Sequence, residues 1–206
     1  MIKIHHPWLT LFRCSLCSNG VLYFTPEVQK FFYKFYPWCS FSISIDGNKE
    51  LHDSCRVDFD GNGSYDRAIA AVKDYEKKYH HLPENKMTIA PDNVSYLYEA
   101  VINLIDLGYT KIPLNCVYEN VWQDEKYADI LYNELIKLAD YIIDNDLYNQ
   151  IFIALFDKNL IHPFPLDINT LNEGMCGGTR PSMLSLDYKG EIYTCIRFME
   201  SSLNGK

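Results

Sequence analysis

Residues 42–56 read SISIDGNKELHDSCR, and this stretch carries the strongest fold signal in the chain. Its apolar opening predicts a strand over 41–45, and the Asp46-Gly47 pair that follows is a turn signal. Ser44 and Asp46 therefore mark the carboxyl end of a predicted strand. Such ends are where open parallel sheets and parallel barrels bind their ligands.

Strand-like and helix-like segments alternate on both sides of this stretch, which is typical of a parallel sheet built from βαβ units. Strands are predicted at 9–16, 41–45, 86–90, 112–118 and 151–156. Helices are predicted from Pro26, after a Thr25 cap, and at 64–79, 94–107 and 124–144. This α/β pattern fits a doubly wound sheet or a (β/α) barrel, and the periodicity does not separate them.

The regular pattern ends near residue 157, where a segment rich in proline and glycine begins. We therefore predict a domain boundary that leaves 1–160 as the α/β domain. Residues 161–206 then form a linker and the start of a short second domain. The predicted hairpin at 184–193, with Lys189-Gly190 as its turn, lies in that second part.

Composition excludes several classes of protein. The net charge of −8 argues against a nucleic-acid surface, which needs clustered basic residues to neutralise phosphates. No apolar run reaches the roughly 18 residues of a membrane span, and the N-terminus carries no export pattern, so a cytoplasmic protein is expected. The seven cysteines form an odd set in such a chain, which favours metal ligation or burial over disulfides.

The order Ser-x-Asp-Gly, His-Asp, Arg and then Gly-x-Gly-Ser-Tyr-Asp resembles the fourth-strand region of radical S-adenosylmethionine (SAM) enzymes with a SPASM extension. The resemblance implies the C-terminal part of a partial (β/α)6 TIM-like barrel. It also implies that Ser44 and Arg56, twelve residues apart, contact SAM, and that Val117 lies beneath the adenine. A hydroxyl suits the ribose or amino-acid part of SAM, and a guanidinium can bind its carboxylate with paired donors. The plainer interpretation is a polar loop in which Asp46 caps local backbone.

Cys176, Gly190 and Cys195 are spaced like the opening half of the SPASM auxiliary-cluster pattern. The resemblance implies that Cys176 and Cys195 are thiolate ligands of a [4Fe-4S] cluster. Two buried thiols flanking the hairpin are the plainer alternative. The family's further ligands would lie beyond residue 206, so a truncated SPASM domain is expected.

Cys14 and Cys17 form a CxxC, but not the CxxxCxxC that binds the SAM cluster in the family. Alternation along a strand points their side chains to opposite faces, so we interpret both as structural. Because the cluster motif does not occur, the chain is expected to match only the later part of the family and to be inactive by itself.

A rival motif starts at Asp58, where oxygen-bearing side chains occupy several positions of a calcium loop. Position 12 of that loop would be Ile69, which has no carboxylate. The segment 54–57 before the loop reads as a short loop rather than an incoming helix. A turn that begins the next helix is therefore the better interpretation.

Members of the resembled family with a SPASM domain act mostly on peptides, through a 5′-deoxyadenosyl radical derived from SAM. We expect a maturase of a ribosomally made, cysteine-rich precursor peptide, for example one forming thioethers, with a flavodoxin or ferredoxin as electron donor. Anaerobic sulfatase maturases are the first alternative, but they carry a catalytic Asp where this chain has Ile196. An Ile cannot accept a proton. A non-catalytic binding scaffold or gene fragment is the second alternative.

Overall fold

A computed structural model of the chain describes residues 14–36, 38–117, 119–157 and 184–199. The chain divides into two compact units, Met1–Leu160 and Ile161–Lys206. The strands of the first unit are β1 (Cys14–Ser18), β2 (Cys39–Ser44), β3 (Glu84–Ile89), β4 (Lys111–Ile112), β5 (Leu114–Cys116) and β6 (Phe152–Ile153). Its helices are α1 (Pro26–Phe35), α2 (Lys49–Cys55), α3 (Tyr65–Tyr79), α4 (Leu97–Asp106) and α5 (Lys126–Asp144).

Four strands form a parallel sheet in the order β1-β2-β3-β5. The order follows the chain without the reversal that creates the ligand crevice of a doubly wound sheet. The register pairs Cys17 with Ser42, Ser44 with Lys86, and Thr88 with Asn115. All four carboxyl ends therefore lie at one edge of the sheet.

The two faces of this sheet differ sharply in polarity. Side chains alternate between faces along a strand, so the registered pairs share a face across neighbouring strands. One face is apolar and largely buried, with Phe41, Ile43, Met87, Ile89 and Leu114 among its members. The opposite face is polar and more exposed, and on the inner strands it carries Ser40, Ser42, Ser44, Glu84, Lys86, Thr88 and Asn115.

The helices bury the apolar face. Tyr75 of α3 packs between α1 and the sheet, with its ring centroid 5.9 Å from that of Phe32 and 5.5 Å from that of Phe41. Helix α4 contributes Leu97, Val101 and Leu104 to the same core. Burying such side chains contributes roughly 1.5–3 kcal/mol each. The hydrophobic stabilisation of the sheet therefore comes from this face and not from the polar face.

Pro113 divides the strand predicted at 112–118. Residues Lys111–Ile112 pair with β6, whereas Leu114–Cys116 pair with β3, so the chain changes partners at the proline. Proline has no N–H to donate and interrupts a ladder at this position. The strand predicted at 151–156 is likewise shorter, because a 3₁₀ turn occupies Ala154–Phe156.

Helix α2 was not predicted; the sequence indicated an irregular loop after Gly47. Asn48 caps it, with its Oδ1 accepting a hydrogen bond of 2.9 Å from Leu51 N–H. A seven-residue helix has too few periodic apolar positions to show a pattern in the sequence. Within the described residues the first predicted strand covers Cys14–Ser18, and its predicted start at 9–13 lies outside them.

The second unit contains the predicted hairpin. Its strands β7 (Ser185–Leu186) and β8 (Ile192–Tyr193) pair antiparallel. Gly190 adopts a φ of +86° in the connecting turn, a conformation that glycine reaches without steric cost. Across the described parts of both units, no helix combines the length and apolarity that a membrane crossing requires.

Candidate functional site

The carboxyl end of β2 turns sharply at Gly47. Its φ is +109°, and a Cβ there would lie 2.8 Å from the Cβ of Ala100 on α4. Only glycine fits between the turn and the helix without displacing one of them. The turn at Gly47 therefore comes directly after Ser44 and Asp46 at the strand end, and α2 begins two residues later, at Lys49.

Asp46 is the centre of a buried polar network at this strand end. Its side chain is only 4% exposed, and its Oδ1 accepts a hydrogen bond of 3.2 Å from Thr88 N–H on β3. Its Oδ2 forms an ion pair with Nε of Arg56, the residue that ends α2. A buried carboxylate needs such a partner, because an unpaired buried charge is strongly unfavourable.

His52 ties α2 to the same strand end. The side chain is fully buried, and its Nδ1 accepts a hydrogen bond of 3.3 Å from Asp46 N–H. Because Nδ1 accepts, the proton is on Nε2, which lies 3.0 Å from Ser64 Oγ. Burial lowers the pKa of the imidazole from its usual 6.5, so His52 is held in the neutral form.

The helix α3 is capped differently from the prediction. Ser64 occupies the N-cap position, but its hydroxyl donates to Arg56 O at 3.0 Å instead of capping the helix. Asp53 performs that role, since its Oδ1 accepts from Tyr65 N–H at 2.8 Å. Burial opposes ionisation of Asp53, but this hydrogen bond and nearby Lys49 outweigh it and lower the carboxyl pKa.

Arg56 is the exposed member of the network. Its side chain is 29% accessible, against 4% for Asp46. Among the described residues the guanidinium contacts an acceptor only through Nε, so its two terminal nitrogens remain open for a ligand. Paired N–H donors of this kind match the geometry of a carboxylate.

Two further residues of the polar face lie close to Ser44 and were not predicted as site residues. The Sγ atom of Cys17 lies 3.9 Å from the Oγ atom of Ser44, on the face opposite to Cys14. Lys86 is the register partner of Ser44 on β3 and forms no ion pair with any described residue. Alternation along the strand predicted that the side chains of Cys14 and Cys17 lie on opposite faces of the sheet. Only the register of β1 on β2 shows that Cys17, and not Cys14, shares a face with Ser44.

Of the other predicted site residues, Val117 belongs to the same compact unit as Ser44, whereas Cys176 and Cys195 belong to the other unit. Val117 follows β5, one strand beyond β3, where its N–H donates to Ile89 O at 2.8 Å and its carbonyl accepts from Trp122 Nε1 at 2.8 Å. Cys195 belongs to the second unit and is a buried free thiol. Cys176 lies outside the described residues.

The calcium-like segment forms a closed turn that begins α3. Asp58 accepts hydrogen bonds from Asp60 N–H at 3.0 Å and Asn62 N–H at 2.9 Å, and pairs with Arg67 at 2.6 Å. A helix does precede this turn, contrary to the sequence-based expectation. Nevertheless, no three metal-ligating side chains converge anywhere in the described residues.

Solved structures of anSMEcpe share the fold of this chain. Native anSMEcpe with bound AdoMet superposes with a TM-score of 0.60 at 20% identity, over 89% of this chain and 50% of that one. The same protein with bound AdoMet and Kp18Cys peptide gives 0.59 at 18% identity, over 91% and 52%. His6-tagged anSMEcpe with bound AdoMet gives 0.54 at 17% identity, over 73% and 40%.

The chain spans about half the length of the first of these solved structures. No protein-family model matches the sequence, and no curated protein matches it either. Because the sequence identities are at or below 20%, the likeness describes the fold and not the chemistry. The chain therefore has the α/β fold of part of anSMEcpe, a protein solved with AdoMet bound.

Proposed function

We propose that this chain is the later part of a radical SAM enzyme acting on peptides, and that the end of β2 binds S-adenosylmethionine (AdoMet). One observation carries the proposal: Asp46, two residues after Ser44, pairs with Nε of Arg56, and no described residue accepts a hydrogen bond from the terminal nitrogens of Arg56. The fold shared with anSMEcpe, an anaerobic sulfatase-maturating enzyme of the radical SAM SPASM type, supports it. The first unit would then be part of a (β/α)6 barrel.

The residues present suit the amino-acid end of AdoMet. The Arg56 terminal nitrogens would hold its carboxylate, and the hydroxyl of Ser44, a residue 8% exposed, would hydrogen-bond the amino-acid or ribose part. Val117 would contact the adenine from the end of β5. When bound, AdoMet supplies the radical-generating chemistry of the family, and these residues bind and orient it.

The proposed auxiliary cluster has less support. Cys195 is a single buried thiol, and a [4Fe-4S] cluster is usually held by four cysteines. The described residues therefore do not by themselves form a cluster site. Cys176 and Cys195 as cluster ligands, and the second unit as a SPASM domain, stay predictions from the sequence.

A peptide substrate is the second part of the proposal. Solved anSMEcpe complexes contain the Cp18Cys and Kp18Cys peptides together with AdoMet, which supports a peptide-binding fold. We favour precursor-peptide maturation over sulfatase maturation, because Ile196 follows Cys195 where a catalytic Asp would be needed. Reducing equivalents would come from a flavodoxin or ferredoxin.

Isothermal titration of the chain with AdoMet tests the cofactor proposal. Arg56→Met should weaken binding at least about tenfold, because it removes charge-assisted hydrogen bonds to the carboxylate, and Ser44→Ala should weaken it about threefold. Arg67→Met is the matched control, since it breaks an Arg–Asp pair in the calcium-like turn. No AdoMet binding by the native chain, or equal losses for both arginine variants, would contradict the proposal.

The alternative of a non-catalytic scaffold has its own measurement. After anaerobic reconstitution with iron and sulfide, a full-length enzyme that includes the CxxxCxxC segment should convert AdoMet to 5′-deoxyadenosine. A full-length protein that binds AdoMet with the expected Arg56 dependence but gives no deoxyadenosine would be a binding scaffold. Deoxyadenosine formed by the full-length native protein and absent with Arg56→Met would support the enzyme.

A further inference from the structure

Among the described residues, the Asp46–Arg56 ion pair leaves part of the guanidinium without an acceptor. The strongest Arg–carboxylate pairs are bidentate and use two nitrogens of the guanidinium. Here the described contacts use only Nε of Arg56. The pairing therefore fixes the guanidinium through Nε and leaves its two terminal nitrogens without an acceptor among the described residues.

Asp46 is itself held rigidly from two other directions. Its Oδ1 accepts a hydrogen bond from Thr88 N–H of β3, and its own backbone N–H donates one to His52 Nδ1. His52 is in turn held near Ser64, which also bonds the carbonyl of Arg56. The carboxylate thus has a fixed position relative to β2, β3 and the end of α2.

We propose that Asp46 is a positioning residue, which orients the Arg56 guanidinium so that its terminal nitrogens can receive the carboxylate of an amino-acid-type ligand beside Ser44. This inference rests on the proposed AdoMet site, and it adds Asp46 as the residue that orients Arg56 before AdoMet binds. An arginine side chain has about 2 kcal/mol of rotamer entropy to lose, so fixing it before binding increases affinity. Asp46 would act through Arg56 and not on the ligand directly, because its side chain is only 4% exposed and each of its oxygens already accepts a hydrogen bond.

Two ligands separate this role from a general structural one. AdoMet has the amino-acid carboxylate, whereas 5′-methylthioadenosine has the adenosine and sulfur but no carboxylate. Asp46→Asn keeps the shape of the side chain and removes its charge. It should raise the AdoMet dissociation constant about tenfold and change that of methylthioadenosine by less than about twofold.

A double-mutant cycle shows whether Asp46 acts through Arg56. In an Arg56→Met background, Asp46→Asn should change AdoMet affinity by less than about twofold, since the group it orients is gone. Asp58→Asn is the matched control, because Asp58 pairs with Arg67 away from the strand end. That control should leave affinity for both ligands unchanged.

If Asp46→Asn does not fold, Asp46→Glu keeps the buried charge and displaces the carboxylate by one methylene, and it should weaken AdoMet selectively. Equal weakening of both ligands, or no weakening of either, overturns the inference while leaving the AdoMet site intact. Independent effects of the two mutations overturn it as well. A native chain that binds neither AdoMet nor methylthioadenosine overturns the proposed function and, with it, this inference.

Discussion

At the scale of single residues, the polar network at the end of β2 depends on one neutral histidine. His52 has no exposure to solvent and accepts a hydrogen bond from the backbone of Asp46, which an imidazolium could not do. The motif SISIDGNKELHDSCR thus contributes more to this network than Ser44 and Arg56, the two residues singled out from the sequence. Its Asp46 pairs with Arg56, and its His52 accepts from the backbone of Asp46.

The stability of the chain should fall on acidification through His52. Its pKa is lowered by burial in the folded chain and is near 6.5 when unfolded, so the unfolded chain binds the extra proton first. The stability gained by keeping His52 neutral in the folded chain is complete above pH 6.5 and is lost as the pH decreases below that value. The slope should be at most about 1.4 kcal/mol per pH unit.

Urea titrations between pH 7.5 and 5 measure this slope. His52→Asn keeps an acceptor for Asp46 N–H and cannot be protonated, so its free energy of unfolding should vary less with pH in this window. An identical slope in both proteins would show that other groups cause the acid sensitivity.

At the scale of elements, helix α4 depends on a buried acid from its neighbour α5. Glu134 is 5% exposed, and its Oε2 accepts a hydrogen bond of 3.0 Å from Tyr98 N–H in the first turn of α4. The N–H groups there have no partner within the helix, and the positive end of the helix dipole favours a carboxylate. Lys137 pairs with the other oxygen of Glu134 from the exposed surface, at 2.5 Å.

Glu134→Ala should reduce the free energy of unfolding by about 1–3 kcal/mol, because it leaves the part-buried N–H of Tyr98 without its acceptor. Glu134→Gln keeps an acceptor and should lose less. Lys137→Met is the control and should cost about 0.5 kcal/mol or less, since an exposed ion pair contributes little. Chemical denaturation distinguishes the three variants; equal effects of Glu134→Ala and Lys137→Met would refute this account of the cap.

At the scale of the whole molecule, the candidate AdoMet residues all belong to the first compact unit, whereas Cys195 belongs to the second. The two candidate sites therefore have no described residue in common. A substitution of Cys195 could therefore change AdoMet binding only if a change in the second unit affects the first.

We expect Cys195→Ser to leave the dissociation constant of AdoMet within about twofold of the native value. Titration calorimetry on the full chain measures it, and circular dichroism checks that the variant is folded. A Cys195→Ser chain that folds but loses AdoMet binding would place part of the binding site in the second unit.

The sequence by itself determined the alternation of strands and helices, the parallel α/β class, the hairpin at 184–193 and the turn at Asp46-Gly47. These features are local: apolar periodicity, glycine turns and helix stops act over a few residues. It also singled out Ser44 and Arg56, through a motif contained within fifteen residues.

Only the tertiary structure decided which strands pair, where Pro113 divides its strand, and that Asp46 reaches Thr88 across the sheet. Thr88 is 42 residues from Asp46, and no local pattern encodes a contact at that separation. The same holds for Cys17 beside Ser44, which required the register of β1 on β2. Residue types set the available chemistry, but the pairing of distant strands determined which of them meet.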